Sequence, residues 1–220
     1  MMGVTAPEKY GGSELGYLEH CIILEEITRA SASVGTSYGS SSNLCINQLV
    51  LNGTDDQKSR FLPKLCSGEH IGALAMSEVG SGSDVMSMKM KADKADGGWL
   101  LNGSKMWITN GPVADVCIVY ARSNPNERNK GITTFIVDCD SKGFTKSPKL
   151  DKFGIRGSPT GELVFDNVFV PDENVIGKVD HGAYVLMSGL NSERLMCAAG
   201  ALGILQACLD EAVPYAAQRK

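Results

Sequence analysis

The sequence predicts an α+β fold that runs helix, strand, helix. Three observations carry that expectation. Apolar residues recur at helical spacing through roughly the first 68 positions. Short β-type runs bounded by Gly, Asn, Asp or Pro then follow as far as residue 170. From about residue 181, Leu and Met return at helical spacing among small residues. The chain has 220 residues, 43% hydrophobic and 21% charged, which is globular rather than disordered composition. A chain of this size exposes about 9,700 Å² when folded and buries about 70% of its unfolded surface.

In the first third, Leu18, Ile22, Ile23, Ile27 and Ala30 place an apolar face on a helix over 15–30, with Glu19, Glu25, Glu26 and Arg29 around it. The pattern continues over 42–51 and stops at Asn52-Gly53. Thr54-Asp-Asp-Gln57 reads as a capping box, in which the Thr hydroxyl and the Gln amide close orphan backbone donors. The helix it opens runs toward Gly68, and Pro63 predicts a kink or break. Strands are expected at 71–76, 85–91, 99–102, 105–109, 116–121, 132–137 and 162–170, forming a small barrel or sandwich. Residues 87–91 alternate strictly between apolar and polar, as a half-buried strand does. The start lacks a structured lead-in and the last helix stops at 218–220 without a cap, so part of a longer fold is expected.

Composition also excludes function classes. A net charge of −4 leaves no basic footprint, so no nucleic-acid partner is expected. No apolar run approaches the roughly 18 residues of a membrane span, so none is expected, and the N-terminus has no signal-peptide pattern. The seven cysteines form no CxxC pair and mostly have apolar neighbours, which reads as buried reduced thiols in a reducing compartment. His20, His70 and His181 are too scattered for a metal site. Asn52-Gly-Thr54 and Asn102-Gly-Ser104 read as turns.

Three segments offer chemistry. Residues 73–84 are a strand entering a Gly/Ser loop. Alone it is a tight turn, or a loop whose backbone N–H groups approach a ligand. The dinucleotide fingerprint fails there, because Gly80-x-Gly82 is followed by Val85 and no helix pattern opens. Trp107-Ile-Thr-Asn-Gly111 is either a core Trp beside a hairpin or a flat apolar ring beside the Thr109 hydroxyl, which suits an isoalloxazine. Glu193 lies in an otherwise apolar helix. It is a solvated surface acid or, if that face is buried, a carboxylate whose raised pKa suits carbon-acid proton abstraction.

In this order and spacing the segments resemble the acyl-CoA dehydrogenase family of flavoenzymes. The resemblance runs over essentially the whole chain, through GVTAPEKYGGSELGYLEH, SNLCINQLV, FLPKL, IGALAMSE, GSD, NGSKMWITNGP, GITTFIV, LDKFGIRGS and AYVLMSGLNSERL. WITNG is family-wide, whereas SNLCINQLV and VLMSGL point to the branch acting on isovaleryl-CoA. The resemblance implies that 1–68 end an N-terminal helical domain, 69–176 form a middle antiparallel β-barrel-like domain, and 177–220 begin a C-terminal four-helix bundle. It implies FAD held at Leu74, Ala75, Met76, Ser77, Glu78, Val79, Gly80, Ser81, Gly82 and Ser83, mainly by main-chain groups. Trp107, Ile108 and Thr109 would cover the flavin, and Arg219 would reach FAD on a neighbouring subunit.

For the substrate, Ser83 matches a residue touching acyl-CoA, Lys130 a basic residue near CoA, and Tyr184 a substrate contact. Glu193 matches the catalytic base, flanked by Asn191, Ser192 and Arg194. The chain departs from the family at Val79 (usually Pro), Ser81 (often Ala) and Asn191-Ser192 (usually Asp-Leu). The implied reaction is FAD-dependent α,β-dehydrogenation of isovaleryl-CoA to 3-methylcrotonyl-CoA in leucine breakdown. The implied setting is a homotetramer in the mitochondrial matrix that passes electrons to electron-transfer flavoprotein. A long straight-chain acyl-CoA substrate, or a catalytically silent partial subunit, are the other readings.

Overall fold

A computed structural model describes residues 2–127 and 130–220. The N-terminal part is α1 (Tyr17–Ala30), α2 (Ala32–Gly39), a π-helical stretch (Ser40–Ile46), α3 (Asn47–Asn52) and α4 (Asp55–Ser67). Ser31 separates α1 from α2 by accepting the Val34 N–H at 3.4 Å. The widened π stretch buries Ser40, Ser41, Ser42 and Asn43, a polar run that the helical pattern of the sequence does not forecast. The capping box forms as expected: the Gln57 N–H donates to Thr54 Oγ1 at 3.2 Å and the Thr54 N–H to Gln57 Oε1 at 3.0 Å. Pro63 does not break α4. Leu62, Leu65 and Cys66 are buried beside it, and their packing outweighs one missing backbone hydrogen bond.

Among the described residues eight strands follow: β1 (Gly72–Ala75), β2 (Lys91–Ala95), β3 (Gly98–Thr109), β4 (Val116–Arg122), β5 (Ile132–Asp138), β6 (Phe144–Lys146), β7 (Thr160–Pro171) and β8 (Val175–Ile176). Their order is β6-β7-β3-β2-β4-β5-β8, with β1 also paired to β4. The expected antiparallel barrel-like sheet is corrected here. It is a mixed sheet, because β1–β4 and β2–β4 run parallel, and β2 meets β4 at one pair, Lys91↔Arg122. The two halves fold across that seam onto one core, where Trp99 meets Phe135 edge-on at 5.7 Å among Leu101, Val119 and Phe165.

Two local expectations also change. Residues 85–90 are not a strand but a 3₁₀ turn (Val85–Ser87) and an extended piece, although Met88 and Met90 are buried in alternation. Asn102-Gly103 is not a turn. β3 runs straight through it with a register shift against β7 and Gly103 at φ +138°.

α5 (Gly182–Gln218) is one helix of 37 residues. Leu186, Gly189, Glu193, Met196, Gly200 and Gly203 form its buried stripe, at alternating spacings of three and four. Gly203 is needed there, since a Cβ would meet the Glu25 carbonyl oxygen of α1 at 2.2 Å. Arg29 of α1 also pairs with Asp210 at 2.6 Å. Contrary to the sequence reading, α5 is long and apolar enough to cross a membrane by length and composition. Its outer face carries exposed Leu195, Leu202, Leu205, Leu209 and Val213, and the total surface of 11,178 Å² exceeds the size-based figure accordingly. Cys45, Cys66, Cys117 and Cys139 are buried free thiols, whereas Cys197 and Cys208 are exposed on α5.

Candidate active site

The site forms where the end of β1, a bulge in β3, the π stretch and α5 converge. β1 turns Ala73 and Ala75 into the sheet core and Leu74 the opposite way, toward the helices. Leu74, Met76 and Ser77 then share a cavity of about 160 Å³ with Trp107, Ile108 and Thr109, closed by Ser40 and Leu44. The Ala75 side chain cannot reach this cavity. Beyond it, Glu78 and Ser81 exchange backbone hydrogen bonds at 3.0 and 3.1 Å, which puts Val79 and Gly80 at an exposed tip. The Ser81 hydroxyl closes the turn on the Asp84 carbonyl at 2.7 Å, so it is spent inside the loop. Gly82 and Ser83 are exposed beside it.

Trp107 is aimed by strain. Between Lys105↔Leu163 and Ile108↔Gly161, β3 carries one extra residue, and Trp107 takes φ +66°, a left-handed conformation unusual for a bulky side chain. The bulge leaves its indole 59% exposed at the cavity edge. Met106 N–H donates to the Ser77 carbonyl at 2.9 Å and ties the bulge to the loop. A flat exposed indole, apolar Leu74 and Met76, and the Thr109 hydroxyl together fit a planar heteroaromatic ring with polar edge atoms.

The sequence reading missed Lys105, the residue that holds this loop in place. Lys105 is fully buried on the inward face of β3. Its ammonium donates to the Met76 carbonyl at 3.0 Å and to Glu78 Oε1 at 2.9 Å. Glu78 also accepts the N–H groups of Lys89 at 2.7 Å and Met90 at 3.0 Å. Those two donors would otherwise serve a strand ladder, which is why 85–90 is not one. The Glu78 carboxylate therefore faces inward and acts as a brace. Burial pushes the Lys105 ammonium down to about 8. Burial works against the charge of Glu78 as well, but Lys105 and the two N–H donors win and hold its carboxyl below the ordinary range. Both groups are charged at pH 7. The inward position of Lys105 in the β3 alternation was the available signal.

A second, apolar cavity of about 360 Å³ shares Ser40, Leu44 and Thr109 with the first. Gly35, Gly39 and Gly200 widen it, and Met196 and Cys197 of α5 line it. Glu193 lies one turn earlier on the same stripe of α5 and is 7% exposed. Burial pushes its carboxyl up to about 7, opposed by a hydrogen bond from Gln48 at 3.4 Å. The surface-acid alternative for Glu193 is thereby set aside. The remaining candidates are not gathered here. Tyr184 is nine residues before Glu193, half a turn round the helix, where it is exposed and stacked on His181 at 5.4 Å. Asn191 and Arg194 are exposed, Ser192 is half-buried, and Lys130 is exposed on its loop. Arg219 is exposed at the end of α5 and donates to the Tyr215 hydroxyl at 2.9 Å.

The family models for the acyl-CoA dehydrogenase N-terminal, middle and C-terminal domains match residues 1–69, 73–168 and 180–220. The chain is 62% identical to 2-methylacyl-CoA dehydrogenase, mitochondrial, of Solanum tuberosum and to isovaleryl-CoA dehydrogenase, mitochondrial, of Arabidopsis thaliana. Each match covers 99% of this chain and 53% of the relative. Among solved structures it is similar to PigA with FAD and proline, at TM-score 0.95 and 29% identity over 100% of this chain and 58% of that one. The chain spans about half the length of the curated relatives it matches. It belongs to the acyl-CoA dehydrogenase family.

Proposed function

We propose that this chain carries the flavin face and the catalytic base of an FAD-dependent acyl-CoA dehydrogenase acting on a short branched substrate, isovaleryl-CoA. The observation that carries the reading is the junction of the two cavities. The cavity beside Trp107 and the apolar cavity lined by Met196 and Cys197, one turn along α5 from Glu193, share Ser40, Leu44 and Thr109. Leu74, Met76, Ser77, Trp107, Ile108 and Thr109 would hold the flavin. When bound, it supplies the acceptor for the β-hydride. Glu193, as carboxylate, accepts the α-proton at its Oε. A pKa near 7 keeps a large fraction of it anionic at neutral pH and still basic enough to act. The lining is largely apolar, and a substrate seated there would displace water and strengthen the hydrogen bonds that an enolate-like thioester oxygen needs.

The finer assignments belong to the same reading. Residues 1–68, 69–176 and 177–220 are the helical, β and C-terminal units. Ser83 and Lys130 serve the CoA portion, Tyr184, Asn191, Ser192 and Arg194 are further substrate contacts, and Arg219 reaches FAD on a neighbouring subunit of a homotetramer. Electron-transfer flavoprotein takes the electrons, and the setting is leucine breakdown in the mitochondrial matrix, in keeping with the mitochondrial names of the relatives. The test is anaerobic bleaching of the protein-bound flavin by isovaleryl-CoA, 2-methylacyl-CoA and a long straight-chain acyl-CoA. Fastest bleaching by isovaleryl-CoA is expected. Faster bleaching by either competitor overturns the substrate, and none by any of the three overturns the activity.

A further inference from the structure

We propose that Gln48 is the positioning residue of the Glu193 carboxylate, held on Oε1 by a relay through Asn52 and admitted by a notch that only glycine at 189 leaves open. The proposal rests on Glu193 being the base. Gln48 is on α3, 1% exposed, and its Nε2 donates to Glu193 Oε1 at 3.4 Å. The orientation of its amide is fixed from the other side. Asn52 Nδ2 donates to Gln48 Oε1 at 3.0 Å, so the donor end of the amide faces the carboxylate. Asn52 Nδ2 is also 3.0 Å from Ser188 Oγ, and Ser188 in turn donates to the Val185 carbonyl at 2.7 Å. The relay therefore begins on α5, crosses to α3 and returns to α5 at the base.

The notch is equally specific. A Cβ on Gly189 would lie 1.9 Å from Gln48 Nε2 and 2.7 Å from Glu193 Oε1. Any side chain there expels the amide from the carboxylate. Among the described residues, the groups facing Glu193 from the packed elements carry no positive charge. Gln48 comes from α3. From β4 comes the buried Tyr120 phenol, pushed well above its ordinary pKa by burial and by the Glu193 charge. Cys197 of α5 is raised by the same two causes. Arg194, the next residue, is exposed on another side of the helix. With no cation supporting the carboxylate, the amide donor opposes its desolvation. An amide suits this role because it stabilises the anion yet never competes for the proton. A lysine here would hold Glu193 charged and too weak a base.

The test uses the FAD-loaded protein and the substrate-free protein side by side. Flavin reduction by isovaleryl-CoA is followed from about pH 6 to 9, and protonation of Glu193 is followed by infrared difference titration of its carboxyl band. Gln48→Leu removes a donor to the charged form, so both midpoints are expected to move up by about one pH unit. Reduction should be slower at neutral pH and recover in alkali. Gly189→Ala should do the same with Gln48 intact. If Gln48→Leu does not fold, Asn52→Ala frees the amide without touching the core and is expected to shift both midpoints in the same direction. Unchanged midpoints in the variants that fold overturn the proposal. Glu193→Gln separates the two ideas. If it still reduces its flavin, the base assignment fails, while the infrared shift still reports whether Gln48 positions the carboxylate.

Discussion

Half-buried Glu78 and buried Glu193 are two carboxylates near one site, both penalised by desolvation, and they reach opposite ends. Glu78 meets a buried ammonium at 2.9 Å and two backbone N–H groups, and is held charged. Glu193 meets one neutral amide and is pushed up to about 7. The desolvation penalty is common to both. What differs is whether a cation and backbone N–H donors are within reach, and together these separate a fixed anion from a carboxyl that titrates near neutrality. The chain thus places its rigid charge under the 77–81 loop and its titratable one on the buried stripe of α5.

The comparison breaks most visibly at the base. Glu193→Gln should leave the FAD spectrum in place and slow flavin reduction by isovaleryl-CoA by about 10²–10⁴-fold in stopped-flow measurements. A near-normal rate would remove Glu193 from the mechanism. On the other side, Lys105→Met strands the Glu78 charge in the interior. Denaturant unfolding should show a loss of about 3–5 kcal/mol, the range for breaking a buried pair from one end. The same variant should lose FAD, because Met76 and Glu78 are released together. A variant as stable as the parent and retaining its flavin would show that the brace is dispensable.

The two acids should also respond oppositely to pH. Glu193 has a folded pKa of about 7 against an ordinary 4.5, so the folded state binds the extra proton in that interval and stability falls as pH rises through it. Glu193→Gln should flatten that decline and melt higher than the parent above about pH 7. Glu78 has a depressed folded pKa. Its contribution is present above the ordinary 4.5 and is lost as pH falls through the lower folded value. Glu78→Gln should therefore melt lower than the parent at neutral pH, with the gap closing in acid. Melting curves over pH check both signs, and equal responses would end the distinction. The smallest effect is expected where the cavities meet. Thr109→Val keeps the shape and removes one hydroxyl, which should weaken FAD retention or shift the flavin potential by about 0.5–1.5 kcal/mol. An unchanged potential and affinity would place Thr109 away from the ring.

The features legible from sequence alone are local. The helix–strand–helix order follows from periodicity, and the start of α4 follows from Thr54 and Gln57, three residues apart. Its end at Gly68 follows from the need for a left-handed residue there, at φ +82°. Glu193 was legible as an acid in an apolar helix, and Trp107 and Thr109 as a ring beside a hydroxyl. Tertiary structure decided the rest, because charge state and strand pairing depend on partners distant in sequence. The alternation at 87–91 is present as burial of Met88 and Met90, yet Glu78 takes the N–H groups of Lys89 and Met90 from 11 and 12 residues away and no ladder forms. Lys105 reads as an ordinary strand residue until Glu78 lies against it, 27 positions earlier in the chain. Gln48 reads as the polar side of a helix until α5 brings Glu193 across 145 positions. Period and capping depend on neighbours within a turn, which sequence spells out. Desolvation depends on which surfaces meet, and only the folded chain settles that.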